Sequence, residues 1–378
     1  MERNMLPYPR IVVKLGTSTL TDGSQHLSAP RMVDLVRQMA LVHDKGCELI
    51  LVSSGAIAAG RETLGYPDLP RFIPKKQMLA AVGQPCLMAK YADYFGIYQK
   101  KVAQVLLTRS DLADRRRYLN ARDTFQALIH QGIIPIVNEN DTIATEEIRF
   151  GDNDNLSAQV ASLVEADLLL LLTDQDGVFT DDPRRSTEAR LIEQIGADVL
   201  SEELVRAGES QNGLGTGGMA TKLHAADLAR RAGIRVFIAR GNAENVILRI
   251  ANGEHIGTSF EPLSSALESR KRYLLAGEKS SGALVVDAGA ARALSRGGSL
   301  LPVGVLNVEG DFERGDTVRV TNQSGKVLAL GITNYSSRDI QRLCGKRSAD
   351  IEGILGFSFG DEVIHRNNMV VMRKDDRR

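Results

Sequence analysis

Asp167-Leu-Leu-Leu-Leu-Leu-Thr173 decides the fold. An unbroken apolar run of this length, closed by a polar Thr-Asp-Gln-Asp-Gly turn, reads as a central strand buried on both faces. Similar strands lie to either side. Arg10-Ile-Val-Val-Lys-Leu-Gly16, Leu49-Ile-Leu-Val52, Val102 to Thr108, Ile133-Ile-Pro-Ile-Val137 and Arg235 to Ala239 are short and apolar. Helical segments separate them: from Ser28-Ala-Pro30 to Gly46, from Lys75 to Gly96, from Tyr118 to Gln131, from Leu156 to Val164 and from Glu244 to Ile250. Strands alternating with helices predict an α/β fold, a mainly parallel sheet sandwiched by helices.

The strand ends carry the polar chemistry. In open α/β sheets ligands collect at the C-terminal ends of strands. Lys14 interrupts the first strand there, beside Gly16, Thr17 and Ser18. It either leaves the strand toward solvent or is aimed at an anion. Ser53-Ser54-Gly55 opens a small-residue helix, where Ser53 or Ser54 either caps the helix or helps to hold a carboxylate. Asn138-Glu-Asn-Asp141 and Gly151-Asp-Asn-Asp-Asn155 are two dense acid-amide clusters without EF-hand spacing. They serve as turns and caps, or they meet the ammonium and carboxylate of a zwitterionic ligand.

Gly213-Leu-Gly-Thr-Gly-Gly-Met-Ala-Thr-Lys222 precedes an alanine-rich helical run that ends at Gly233. Glycines let backbone N–H groups approach a ligand, and a helix start leaves N–H groups unpaired. The stretch therefore reads as a phosphate loop, or else as a surface loop before an ordinary helix. The dinucleotide pattern fails because polar residues, not a strand, precede it. The P-loop pattern fails because three residues separate Gly218 from Lys222.

Bulk properties narrow the class. The chain has 378 residues, 43% hydrophobic and 25% charged, with a formal net charge of zero. That length suffices for two or more domains. Neutrality removes the electrostatic case for general binding to nucleic acid or anionic membrane. Three widely spaced cysteines, Cys47, Cys86 and Cys344, lack metal spacing and favour a reduced, cytoplasmic setting. No apolar h-region opens the chain, and no run is long enough to span a bilayer. After polar residues 262–273, read as a linker, the texture changes. Short strand candidates at Ala283–Val286, Leu306–Val308, Thr317–Val320, Val327–Leu330 and Glu362–His365 predict a small β-rich domain over 274–372. Residues 373–378 read as a frayed tail, and residues 1–261 as the larger domain.

Lys14-Leu-Gly-Thr-Ser18, Ser53-Ser-Gly-Ala-Ile-Ala-Ala-Gly-Arg61, Asn138-Glu-Asn-Asp141, Phe150-Gly-Asp-Asn-Asp-Asn-Leu156, Leu172-Thr-Asp-Gln175 and Gly215-Thr-Gly-Gly-Met-Ala-Thr-Lys222 together resemble the glutamate 5-kinase family of the amino acid kinase superfamily. Leu301-Pro-Val-Gly304 and Gly310-Asp-Phe-Glu-Arg-Gly-Asp316 resemble the PUA domain appended to its bacterial members. Val178-Phe179 departs from a frequent Leu-Tyr. The resemblance implies transfer of the γ-phosphoryl group of ATP, with Mg²⁺, to the γ-carboxylate of L-glutamate. It implies Lys14 and Lys222 at the transferred group, with Asp154 organising them. Ser54, Asp141 and Asn153, assisted by Asp152, would hold glutamate. Lys14, Thr173, Asp174 and Thr216, Gly217, Gly218, Met219, Ala220, Thr221 and Lys222 would hold ATP. It further implies inhibition by proline, and association with glutamate-5-semialdehyde dehydrogenase. A homo-oligomer is expected. The rivals are another carboxylate or carbamate kinase of the superfamily, or an RNA-binding protein acting through the PUA domain. Neutral charge and the lack of a basic aromatic stripe weigh against the second.

Overall fold

In the computed structural model the described residues are 6–66, 73–144, 153–183, 186–197, 218–263 and 280–372. The chain divides into two compact units. One comprises Met1–Ala113 and Thr124–Ala266, the other Asp114–Asp123 and Leu267–Arg378.

In the first unit the elements run β1 (Arg10–Leu15), α1 (Thr17–Thr21), α2 (Ala29–Asp44), β2 (Glu48–Ser53), α3 (Ala56–Thr63), α4 (Ile73–Ile97), β3 (Val102–Leu107), α5 (Arg109–Ala113) and α6 (Arg115–His130), which spans both units. Then come β4 (Ile134–Glu139), α7 (Asn153–Leu163), β5 (Leu168–Thr173), β6 (Val178–Phe179), β7 (Leu191–Ile192), β8 (Gln194–Ile195), α8 (Met219–Arg231), β9 (Arg235–Arg240), α9 (Val246–Ala251) and β10 (Thr258–Phe260). The main sheet has the order β3-β4-β2-β1-β5-β9-β10-β8. Its first six strands are mutually parallel, and β10 runs antiparallel to β9. The expected parallel sheet is present, with a short mixed edge added. The mixed edge escapes a pattern reading because β10 has three residues and β8 two.

Strand alternation sorts side chains between two helical layers. Ile11, Val13 and Leu15 of β1, Leu49 and Leu51 of β2, Ile134 and Ile136 of β4, and Leu168, Leu170 and Leu172 of β5 share one core with α2, α3 and α4. The intervening residues face the opposite layer. There α7 packs on β1 and β5, and α8 packs on β9 and on α7. Lys14 belongs to this second set. That parity turns it away from the first core and toward the starts of α7 and α8.

Helices α3 and α4 pack backbone to backbone. A Cβ on Gly60 would lie 1.9 Å from Leu79 O, and one on Gly83 would lie 1.8 Å from Ala56 O. Only glycine fits at this crossing. It brings the middle of α4 against the start of α3, where Gly55 adopts a left-handed φ of 106°. Pro85 follows within α4. It removes one ladder hydrogen bond of the helix beside the same crossing.

The second unit has a five-stranded sheet of order β12-β11-β13-β14-β15, formed by β11 (Gly282–Val286), β12 (Val305–Gly310), β13 (Thr317–Asn322), β14 (Val327–Ile332) and β15 (Met369–Val371). Helices α10 (Ala288–Ser295) and α11 (Ser337–Leu343) contribute Leu294, Ile340 and Leu343 to its core. Asp287 caps α10 by accepting from Ala290 N at 2.6 Å, and Ser336 and Asp339 form a capping box at α11. The expected strand at Glu362–His365 is absent. Val363 and Ile364 are fully buried, but their backbone bonds go to Leu300 and Asn334 outside the sheet. The last strand is β15. Burial of consecutive apolar residues imitates a strand there, where only an isolated antiparallel bridge joins Ile364 to Leu300.

Candidate active site

Three elements, one strand and two helices of the same layer, converge on Asp154. It lies in the first turn of α7 and is 1% exposed. Its Oδ1 forms an ion pair with Lys14 Nζ from the C-terminal end of β1. Its Oδ2 lies 3.3 Å from Lys222 Nζ in the first turn of α8. The hydroxyl of Thr221 donates to the same Oδ2 at 2.7 Å. Lys14 is 4% and Lys222 7% exposed, so neither lysine is a solvated surface charge. The structure thus brings together residues 68 to 208 positions apart in sequence.

Electrostatics explain the arrangement. Burial alone would push the Asp154 carboxyl up. The two ammonium groups, with hydrogen bonds from Lys14 and Thr221, outweigh that and hold it down at about 2. Asp154 is therefore a fixed negative charge between two fixed positive ones. The triad carries a net positive charge at the starts of two helices, whose unpaired N–H groups add partial positive charge. Such a place suits an anion of more than one charge.

The expected acceptor residues lie next to it. Asn153 precedes Asp154, and its Nδ2 donates to Ser54 Oγ at 2.9 Å and to Ser53 O at 3.2 Å. A third bond joins it to Asn138 Oδ1 at 3.0 Å. Ser54 follows the end of β2, and Asn138 is 2% exposed near the end of β4. Asp141 follows two residues after β4. Asp152, Thr216 and Gly217 lie outside the described residues, as does most of the glycine stretch before Gly218. Gly218, Met219, Ala220 and Thr221 form the entry to α8. Thr173 ends β5, with its hydroxyl 3.0 Å from Asp174 Oδ1, and Asp174 is exposed. Two residues of this neighbourhood were absent from the expected site. Asn138 sits in a quoted motif but had no assigned role. Gln84 lies mid-helix in α4 and had no signal beyond its place between Gly83 and Pro85.

Asp141 has the opposite electrostatic setting from Asp154. Burial raises its carboxyl from 3.8 to about 6, and nearby Lys76 only partly offsets this. A raised carboxyl costs stability when ionised. The cost is absent below about pH 4, grows as pH rises through 4 to 6, and is complete above that. Two units correspond to about 3 kcal/mol, and partial exposure reduces this to about 1–2 kcal/mol. Asp141→Asn is therefore expected to melt about 1–3 °C above the parent at pH 7.5 and with it at pH 4. Scanning calorimetry at both pH values checks this. A pH-independent difference would place the carboxyl in water.

Comparison with known proteins fits this geometry. Residues 9–240 match the amino acid kinase family model, and residues 282–355 match the PUA domain model. The chain is 54% identical over 374 residues to the glutamate 5-kinase of Shewanella amazonensis, covering 98% of both chains. It is 54% identical over 373 residues to that of Photobacterium profundum, again covering 98% of both. It is 55% identical over 366 residues to that of Vibrio campbellii, covering 96% of both. The chain belongs to the amino acid kinase family, in its glutamate 5-kinase branch that carries a C-terminal PUA domain.

Proposed function

We propose that this protein transfers the γ-phosphoryl group of ATP to the γ-carboxylate of L-glutamate, giving L-glutamyl 5-phosphate and ADP, the first step of proline biosynthesis. The observation that carries this reading is the Lys14–Asp154–Lys222 cluster, set against an amide- and hydroxyl-lined neighbour. Relatives bearing the name glutamate 5-kinase, matched over 96% to 98% of both chains, support it.

The chemistry needs no base. A glutamate side chain has a reference pKa near 4.3, so the nucleophile is already ionised at pH 7. A γ-carboxylate oxygen forms a bond to the γ-phosphorus, and the bond from that phosphorus to the β,γ-bridging oxygen breaks. The obstacle is charge. Two unit negative charges ~4 Å apart repel by roughly 4 kcal/mol at an effective dielectric of 20. Lys14 and Lys222 offset this with fixed ammonium groups already held in place by Asp154. MgATP enters as the nucleotide substrate, its Mg²⁺ supplying further positive charge on the phosphates. Catalysis then rests on in-line positioning and charge stabilisation.

Ser54, Asn153 and Asp141, with Asp152, are assigned to glutamate. Thr173, Asp174 and residues 216–222 are assigned to the nucleotide. Proline as an end-product inhibitor and a homo-oligomeric, cytoplasmic enzyme go with this reading. So does handing the labile acyl phosphate to glutamate-5-semialdehyde dehydrogenase. Among the described residues no helix is long and apolar enough to cross a membrane. The test is an acceptor screen with MgATP and hydroxylamine. L-glutamate is expected to give hydroxamate and ADP in equal amounts, and added proline to suppress both. Hydroxamate from aspartate or acetylglutamate, with none from glutamate, would reassign the acceptor.

A further inference from the structure

The amide cluster beside the triad extends into α4. Asn138 accepts at Oδ1 from the backbone N–H of Glu139, at 2.9 Å, and from Asn153 Nδ2, at 3.0 Å. Because a backbone N–H can only donate, it fixes which end of Asn138 is oxygen. Asn138 Nδ2 must then donate, and it does so to Gln84 Oε1 at 2.8 Å. The same logic fixes Asn153, whose Nδ2 faces the carbonyl of Ser53. Among the described residues Asn153 Oδ1 is left buried without a partner, and so is Gln84 Nε2. Buried polar atoms are normally paired, so an orphan acceptor beside a substrate-binding hydroxyl points to a ligand donor.

Gln84 is where it is for identifiable reasons. Asn138 shares strand parity with Ile134 and Ile136, which face α4. The Gly60–Gly83 crossing draws α4 against the start of α3. Two turns along α4, Tyr91 OH lies 2.8 Å from Ser53 Oγ, so the same helix face touches the ends of both β2 and β4. Gln84 therefore joins α4 to the acceptor residues through polar contacts alone.

We propose that Gln84 is a positioning residue for the acceptor amino acid: by holding Asn138 it fixes Asn153, so that Asn153 Oδ1 is presented to the α-ammonium group of the substrate. This rests on the reading of the protein as a glutamate kinase. It separates two halves of substrate recognition. The α-ammonium is read through the Gln84–Asn138–Asn153 chain, while the reacting γ-carboxylate is managed by the lysines. An acceptor that lacks the ammonium has no use for the chain.

The test compares the full-length parent with Gln84→Leu and Gln84→Met, both of which remove the acceptor oxygen and keep helix-forming bulk. KM is measured for L-glutamate and for MgATP. Glutarate, which lacks the α-ammonium, is measured as an inhibitor competitive with glutamate. Either variant is expected to raise KM for glutamate about tenfold. kcat, KM for MgATP and the glutarate Ki are expected to stay within about twofold. An equal rise in glutamate KM and glutarate Ki would make Gln84 a merely structural support and overturn the proposal. So would an unchanged glutamate KM, or a loss confined to kcat. The parent decides the underlying reading separately: if it forms no ADP with glutamate, the kinase assignment fails whatever the variants do. The ratio of variant to parent decides the role of Gln84.

Discussion

Asp154→Asn is expected to cost both turnover and stability, and stability more than any other single change in the site. Asp154 is fully buried and faces two ammonium groups that are themselves almost fully buried. Asparagine keeps the shape and removes the charge. Two neighbouring buried cations then lose the carboxylate they share. Breaking a buried ion pair by removing one partner costs about 3–5 kcal/mol, because the other partner is left uncompensated. Here one change breaks two ion pairs, and a loss within that range is expected for the kinase unit. The sign with pH follows from the depressed carboxyl. A group held down from 3.8 to about 2 contributes stability that is complete above about pH 4 and is lost as pH falls toward 2. The deficit of the variant should therefore be full at pH 7 and shrink below pH 4. Turnover should fall by about 10³, since the lysines lose the carboxylate that positions them. The site then carries one more positive charge, so nucleotide affinity should hold or improve. Urea unfolding at pH 7 and pH 3.5, kcat at saturating substrates and direct ATP titration measure these effects. A variant that unfolds with the parent and keeps kcat within twofold would remove Asp154 from its central place.

Much of this architecture is visible in the amino-acid sequence for a physical reason. The parallel strands are buried on both faces, so they show as continuous apolar runs, and Leu168–Thr173 is the plainest of them. Lys14 stands out because a charge in such a run is costly unless it is paired. What a run cannot show is parity. Only pairing in register with β2 and β5 decides that Lys14 turns toward α7 and α8. The partnership with Lys222 is equally invisible locally, since it depends on two helices starting at the same place. Gln84 illustrates a deeper limit. Glutamine is an ordinary helix former, and nothing in its neighbours names Asn138 as a partner 54 residues away. The one local hint is the pair Gly83 and Pro85 inside a long helix, each costly there unless a packing reason exists. The reason is the backbone contact with α3. The false strand at Glu362–His365 shows the converse. Burial of Val363 and Ile364 was legible, but not the partner for their backbone groups.

Lys222→Ala should separate chemistry from folding. The lysine sits in the first turn of α8, 7% exposed, with its ammonium on Asp154. Removing it leaves Asp154 paired with Lys14 and hydrogen-bonded to Thr221, so the carboxylate is not orphaned. The stability loss should therefore be clearly smaller than for Asp154→Asn, because one of the two ion pairs survives. The catalytic loss should not be smaller. The transferring phosphoryl group spreads negative charge over its oxygens as it moves between two anions, and a fixed cation at that place acts most strongly in the transition state. A loss of about 10³ in kcat is expected, in line with the removal of a charged group that stabilises phosphoryl transfer. KM for glutamate should stay within about threefold, because the residues proposed to hold the acceptor, Asn153 and Ser54, bond to each other and to Asn138. Lys222→Arg should not restore the rate, since a planar guanidinium places its charge differently from a compact ammonium. Initial-rate kinetics with each substrate varied, alongside thermal melts of all three variants, decide the matter. An unchanged kcat with only weaker ATP binding would make Lys222 a nucleotide anchor and leave the chemical step to Lys14 alone.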